Sequence, residues 1–556
     1  MPDTIRAGVA AARVLRDRGV RYAFGVPGES FLGLLDALHE TPEIQLISTR
    51  HEGGAAFMAE AVGKLSGQPA ICMGTRGVGT ANLAIGIHTA YQDSTPLIAL
   101  VGQVETPIRH REALQEVELA PFLSQITKWA VEAPNGERLP ELVSEAYRRA
   151  VTGRPGPVAV ALRGDILDEP VSPDLPPASA IPAAAPSAAL VETVLRVLGN
   201  AKRPLIVAGG GIPRSGATAS LIELAERLAV PVMTAFRRHD TFPNDHPLYA
   251  GSLSIGAPTE VIQRARDADV ILAIGTRLSE TTTFGYSLPT PGSRLIQVDI
   301  SPEITGRTYP AEIAIAADAA TTIEMLLAAS APAPDADRAA LNARTRSVYE
   351  KATTVPAKPA VRDLVDPAVV IGELQRQLPP EAVLTSDAGN FYGWLSRYCR
   401  FTQPGTFLGP TSGAMGYAVP AAVAAAIVRE NRVPCVAIAG DGGFMMTGNE
   451  LAVAAQLGLN VTCIVFNNSM YGTIRLPQER TYPDRVSGTD LWSPDFVRYA
   501  EVFGGLGVRV ERNEDVADAV KQVLAHSGIS VLEVVMSPGT IAVGQSLQAV
   551  REHARA

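Results

Sequence analysis

Short apolar runs alternate with longer stretches of helical period along nearly the whole chain, the pattern of strands buried on both faces and joined by covering helices. Residues 436–439 form one such run and end in Gly-Asp-Gly-Gly, where missing side chains let the backbone approach a bulky ligand. Thr447, with Glu450 three residues on, fits a capping box; residues 451–457 keep good helix formers, and Gly458 stops them. Residues 461–466 then read as the next strand. A strand, helix and strand this short predict a parallel unit with a right-handed crossover, so both strands finish at one sheet edge. Asp441 and Asn468, 27 positions apart, become neighbours there.

Two connectors rich in proline and alanine, 167–189 and 328–360, interrupt the alternation. They leave three blocks, 1–168, 186–330 and 361–556, each repeating the pattern. The expected class is therefore α/β, with three doubly wound parallel-sheet domains. Length agrees, since 556 residues suit about three domains of about 100–200 residues each.

Composition narrows the setting. With 46% hydrophobic and 19% charged residues the chain can bury large interiors. A net charge of −9 without a long Lys/Arg cluster excludes a nucleic-acid surface. Cys72, Cys399, Cys435 and Cys463 are scattered through apolar surroundings, which points to buried free thiols and not to a metal or disulfide framework. Arginines interrupt the apolar positions of the first twenty residues, so these read as an amphipathic helix and not a leader. No run reaches 18 apolar residues, no membrane partner is expected, and a cytoplasmic protein is the default.

The candidate chemistry starts at 440–468. A carboxylate and an amide oxygen converging beside free backbone N–H groups suit a hard cation such as Mg²⁺, which commonly takes few protein ligands and shares the rest with phosphate. The glycine turn and the next helix N-terminus can receive that phosphate. An ordinary strand-end turn with a capping Asn is the other reading. In the middle block, residues 204–217 also cluster glycines after a strand, but the spacing is not G-x-G-x-x-G and Pro213 sits in the turn, so a structural glycine turn is expected.

GDG at 440–442 followed by NN at 467–468 resembles the thiamine diphosphate (ThDP) fingerprint. ISTRHEGGAAFMAEAVGKLSG, FGVPGES (24–30), TRGVGTANLAIGIHTAYQDSTPLIALVGQV (75–104), ALQEVE (113–118), SDAGN (386–390) and TSGAMGYAVPAA (411–422) stand in the expected order. The chain is thus similar over nearly its whole length to ThDP-dependent enzymes of the acetolactate synthase and 2-oxo acid decarboxylase superfamily. The resemblance implies Asp441, Asn468 and the backbone oxygen of Met470 as Mg²⁺ ligands. It implies Ala388, Gly389, Asn390, Gly442, Gly443, Tyr471 and Gly472 around the diphosphate, with Pro27 and Gly28 as further cofactor contacts. Glu52 would hydrogen-bond to the pyrimidine ring as the catalytic acid, Gly413 would present its carbonyl to the aminopyrimidine, and Met415 would prop the two rings apart. Gln115 and His88 are catalytic candidates for orienting substrate, and Ile474, with Thr473 and Pro477, would shape the acceptor pocket.

The implied activity is a carboligase or decarboxylase, a lyase or transferase in class: acetolactate synthase-like decarboxylation of a 2-oxo acid such as pyruvate, with acyl transfer to a carbonyl acceptor. Rivals are a 2-hydroxyacyl-CoA lyase or oxalyl-CoA decarboxylase, a benzaldehyde-lyase-like carboligase, and a non-catalytic ThDP-binding regulatory paralogue. The acetolactate synthase branch binds FAD in its middle domain, where Arg277 matches but the family's histidine, paired aspartates and second arginine do not. FAD is therefore disfavoured, and a nucleotide pocket, vestigial or for the ADP part of a CoA ester, stays open around Arg277 and Asp299. Family members join the Glu-bearing and metal-bearing domains across two chains, so a homodimer or homotetramer is implied.

Overall fold

The computed structural model describes residues 4–555. Three six-stranded parallel sheets follow one another along the chain, each flanked by helices, as the alternating pattern predicts. Counting strands from the start of each sheet, the first, between Tyr22 and Arg163, runs in the order 2-1-3-4-6-5. The third, between Val383 and Val535, has the same order. The middle sheet, between Pro204 and Ala316, runs 3-2-1-4-5-6, the order of dinucleotide-binding folds. Its strands Pro204–Ala208 and Val270–Ile274 are buried throughout, as parallel strands covered on both faces must be.

One hydrophobic core fuses the first and third sheets. The helix Glu52–Ser66 packs on the helix Ala418–Val428, both rich in Ala and Gly, so their backbones approach closely. Gly54 is one such point, since a Cβ there would meet the Glu450 carboxylate at 2.5 Å. All four cysteines are buried and free.

The strands Cys435–Gly440 and Val461–Asn467 pair in parallel, with Gly440 opposite Phe466. Asp441 and Asn468 therefore leave the same sheet edge, as their spacing predicts. The capping box differs from expectation. A helix, Asp441–Thr447, begins directly after the strand, and a 3₁₀ turn, Gly448–Glu450, joins it to Leu451–Leu457. The Thr447 hydroxyl donates to the Gly416 carbonyl at 2.7 Å instead of capping. The Glu450 carboxylate accepts the Arg50 N–H at 3.1 Å and the His51 N–H at 2.9 Å. It caps a helix of another domain, because Glu52–Ser66 brings its unsatisfied N-terminal N–H groups within reach.

Candidate functional site

A cavity of about 330 Å³ opens at the carboxyl edge of the third sheet, where the strand order reverses between strands 1 and 3. Such reversals leave a crevice between the loops of neighbouring strands. Ala388, Gly389, Asn390, Gly413, Met415, Asp441, Gly442, Gly443, Asn468, Met470, Tyr471, Gly472 and Ile474 all line it. Thr473 lines it as well, while Pro477 does not and sits inside the helix Gly472–Thr481.

Local bonding explains each placement. The Asp441 carboxylate accepts the Gly442 N–H at 2.9 Å and the Ser493 hydroxyl at 3.2 Å. Burial pushes it up from the usual carboxylate range, and those donors offset only part of the shift. Asn467 braces the turn: its Oδ1 accepts the Ser469 N–H at 3.1 Å and its amide donates to Glu533 at 2.7 Å. That leaves Asn468 to face the cavity. Asp387 accepts the N–H groups of Gly416 at 3.1 Å and Ala418 at 2.7 Å, which fixes the loop bearing Gly413 and Met415. Burial raises Asp387 to about 6. Gly443 is obligatory beside it, because a Cβ there would stand 2.2 Å from the Asp387 carboxylate.

The lining also includes Phe391, Trp394, Met446, Phe466, Met536, Thr540 and Ile541, which no motif marks. Thr540 and Ile541 come from the carboxy-terminal segment. The Ile541 carbonyl accepts the Asn390 amide at 2.8 Å, and the helix Leu547–Arg555 packs on Gly472–Thr481 through Arg551 bonded to Glu479 at 2.7 Å. The terminal hairpin thus walls the cavity directly, and the terminal helix backs the segment Gly472–Thr481.

Glu52, Gln115, His88, Pro27 and Gly28 do not line this cavity within the one chain. Four of them gather instead at the start of the helix Arg76–Asp93. Glu52 accepts the Asn82 amide at 2.9 Å, the Gln115 carbonyl accepts the Gly77 N–H at 3.0 Å, and Gly28, beside Pro27, lies against Thr75. His88 stands apart, exposed and about 18 Å further along the helix axis. Glu52 itself is buried at the first position of its helix, where His51 accepts the Gly53 N–H at 2.9 Å. Beneath them, burial raises Glu450 to about 7, and the Glu52 carboxylate adds to that rise.

A second cleft, of about 320 Å³, lies at the reversal point of the middle sheet. Gly210, Gly211, Arg154, Arg214, Arg277 and Asp299 line it. The glycines are there for close packing, since a Cβ on Gly211 would stand 2.6 Å from the Gly275 backbone, yet the same turn walls the cleft. Burial pulls Arg214 and Arg277 down to about 10, and Arg154 falls for the same reason. Their bonds go to neutral oxygens: Arg154 to the Tyr91 carbonyl at 2.8 Å, Arg277 to the Gln92 carbonyl, Arg214 to the Ser94 carbonyl at 3.5 Å. Among the described residues none of the three forms a salt bridge with a carboxylate.

Comparison with known proteins gives matches along the chain to the thiamine pyrophosphate enzyme N-terminal TPP binding domain at 5–122, the central domain at 191–326 and the C-terminal TPP binding domain at 387–534. A probable acetolactate synthase large subunit of Methanocaldococcus jannaschii is 31% identical over 551 residues, covering 96% of this chain and 92% of the relative. The acetolactate synthase large subunit of Corynebacterium glutamicum is 30% identical over 540 residues, covering 94% and 85%. An acetolactate synthase of Mycobacterium bovis is 31% identical over 539 residues, covering 94% and 86%. With its three matched domains falling in sequence order on three parallel sheets, the chain belongs to the thiamine pyrophosphate enzyme family.

Proposed function

We propose that the protein is an acetolactate synthase-like enzyme that uses thiamine diphosphate and Mg²⁺ to decarboxylate a 2-oxo acid such as pyruvate and to pass the acyl unit to a carbonyl acceptor. The observation that carries this reading is the shared cavity of Asp441, Asn468, Met470 and the loop Gly413–Met415. One carboxylate, one amide oxygen and one backbone oxygen make a donor set that suits Mg²⁺ completed by phosphate. The lining holds no Lys or Arg, so a diphosphate needs such an ion as its counter-charge. Gly443, in the first turn of the helix Asp441–Thr447, would offer its N–H to the phosphates, and the bare Gly442 backbone lets them approach.

When bound, thiamine diphosphate would supply a carbon acid whose conjugate base, after loss of the proton, is the nucleophile for the 2-oxo carbon and whose ring accepts the electron pair released as CO₂ leaves. Gly413, at φ +72°, presents its backbone to the ring end of the cavity. The Met415 thioether, which lines the cavity, would prop the two rings apart. Asp387 keeps both in place, and Met446, Ile474 and Ile541 exclude water around the reacting carbon. Glu52 would hydrogen-bond to the pyrimidine ring, with the Asn82 amide orienting its carboxyl group. Gln115 orients the substrate carbonyl from the cavity mouth.

Glu52 reaches the cavity of a second copy of the chain. Two apolar patches support this: Val78, Ile85, Leu114 and Val117 are exposed beside the Glu52 cluster, and Met445, Met446, Ile474 and Trp492 beside the cavity. A homodimer, or a tetramer of two, covers both patches and completes both sites. The middle cleft favours a second ligand. Its strand order and three guanidinium groups free of direct ion pairs suit the diphosphate of an ADP-type ligand, with Asp93, Asp299 and Asp318 in the same lining offsetting part of their charge.

The test is turnover by the apoprotein supplied with ThDP, Mg²⁺ and a panel of 2-oxo acids, aldehydes and 2-hydroxyacyl-CoA esters, following CO₂ and carbonyl products. Pyruvate is expected to give CO₂ and a hydroxy-oxo acid only when both additions are made. Turnover confined to acyl-CoA esters would replace this reading by the lyase one.

A further inference from the structure

The loop between the strand Phe407–Leu408 and the helix Ala418–Val428 reaches both cavities. Thr411 lines the middle cleft, and four residues later Met415 lines the glycine-rich cavity. Asp387 holds the far end of this loop from below, within its own domain. The near end is held by another carboxylate. Asp93, last residue of the helix Arg76–Asp93, has a side chain with no exposure, and both its oxygens accept the Thr411 N–H at 3.2 Å.

Asp93 is paired twice: with Lys64 of the first domain and with Arg238 of the middle domain, each at 2.9 Å. Burial alone would raise Asp93, but the two cations outweigh it and hold it below the usual carboxylate range. Lys64 continues to the Gly409 carbonyl at 3.1 Å and to Glu60 at 3.0 Å, and Glu60 accepts the Tyr417 hydroxyl at 2.6 Å. Thr89 and Ser412 share a hydroxyl bond at 3.0 Å. The loop is thus tied to the first domain at Gly409, Thr411, Ser412 and Tyr417, and through Asp93 and Arg238 to the middle domain.

Buried ion pairs seldom add stability over an apolar filling of equal volume, because desolvation consumes the Coulomb gain. What they do fix is relative placement. We infer that Asp93 is a positioning residue for the cofactor cavity: it sets where Gly413 and Met415 stand by fixing the loop 409–417 across three domains. The inference rests on the reading of that cavity as the ThDP site. It concerns a residue that does not line that cavity and borders the middle cleft instead.

The test compares the full-length protein with Asp93→Asn and Arg238→Gln. Hydrogen exchange is followed by mass spectrometry without ThDP, and ThDP affinity, kcat and KM for pyruvate are measured with Mg²⁺. In Asp93→Asn, exchange is expected to quicken in peptides covering 409–417 while the sheet strands keep wild-type rates. Displacement of Met415 then lowers kcat by about 10- to 100-fold, with KM within about twofold. Arg238→Gln gives the same pattern at about threefold, since Lys64 still pairs with Asp93. Exchange quickened everywhere, or kcat and loop exchange both unchanged in the folded variants, overturns the inference. Should Asp93→Asn not fold, Arg238→Gln decides by the same readings. A wild-type protein that binds no ThDP sinks the cofactor reading, while the exchange pattern still judges Asp93.

Discussion

The two clefts sit at equivalent places, each at the carboxyl edge of a parallel sheet where strand order reverses, yet they treat negative charge in opposite ways. The glycine-rich cavity offers Asp441, a carboxylate raised by burial, and no Lys or Arg at all. The middle cleft sets Arg154, Arg214, Arg238 and Arg277 beside Asp93, Asp299 and Asp318; burial lowers Arg154, Arg214 and Arg277, whose hydrogen bonds go to neutral oxygens. Buried charge that is only partly compensated is costly, so a cation in the first cleft and an anion in the second would each relieve it. On the proposed reading the first takes a cation together with its diphosphate, whereas the second takes the anion alone. Position in a doubly wound fold decides where a ligand goes, and the sign of the lining decides what must accompany it.

The sharpest break of this comparison removes the cation. Chelating Mg²⁺, or replacing Asp441 with Ala, is expected to weaken ThDP binding by more than about a thousandfold, since the ion carries several kcal/mol of charge stabilisation. Titration of ThDP followed by protein fluorescence reads this, and ADP binding to the middle cleft stays as in the wild type. Tight ThDP binding in excess chelator would remove the distinction between the clefts. Next in size is Glu52→Gln, which keeps shape and hydrogen bonding but cannot share a proton in the same way. Turnover of pyruvate should fall by about 100-fold or more, with ThDP affinity within about tenfold. Unchanged turnover sinks the role given to Glu52.

The middle cleft is sharpened by Arg277→Ala. Losing one charge-assisted bond weakens ADP by about 10- to 100-fold. Calorimetry of the ADP complex checks it, with ThDP affinity serving as the control. Equal loss of both ligands would mean that the arginine holds the fold and not an anion.

What was legible in the chain follows from which contacts are local. Asp441 and Asn468 could be brought together on paper because a parallel strand-helix-strand unit leaves its two strand ends no other choice. Ala388, Asn390, Gly413 and Tyr471 follow from recognised motifs around that edge. Thr540, Ile541 and Met536 did not, since a terminal hairpin folding back carries no pattern at its own position. The capping box misled because Glu450 has the right spacing but finds stronger donors at a helix N-terminus 400 positions away. Asp93 carries no local signal, since its partners Lys64, Arg238 and Thr411 come from three domains. The glycines at 209–211 have the wrong spacing for a nucleotide fingerprint, whereas the strand order that makes their cleft exists only once the sheet is formed.

Glu450 gives the smallest effect and the one most specific to the junction between the domains. Its carboxyl group is raised to about 7 from a value of 4.5, first by burial and then by the neighbouring Glu52, against the pull of the Arg50 and His51 N–H groups. The native state therefore binds this proton more tightly than the unfolded chain. Stability from that proton is whole below pH 4.5 and is lost as the pH rises towards 7, by at most about 1.4 kcal/mol for each unit. In Glu450→Gln the amide cannot titrate but still accepts the His51 N–H. The difference in urea midpoint between wild type and variant should accordingly shift across pH 4.5–7, with the wild type losing ground as the pH rises. Parallel midpoints over that range would place the Glu450 proton elsewhere, and would leave the helix start beside Glu52 capped by an ordinary carboxylate.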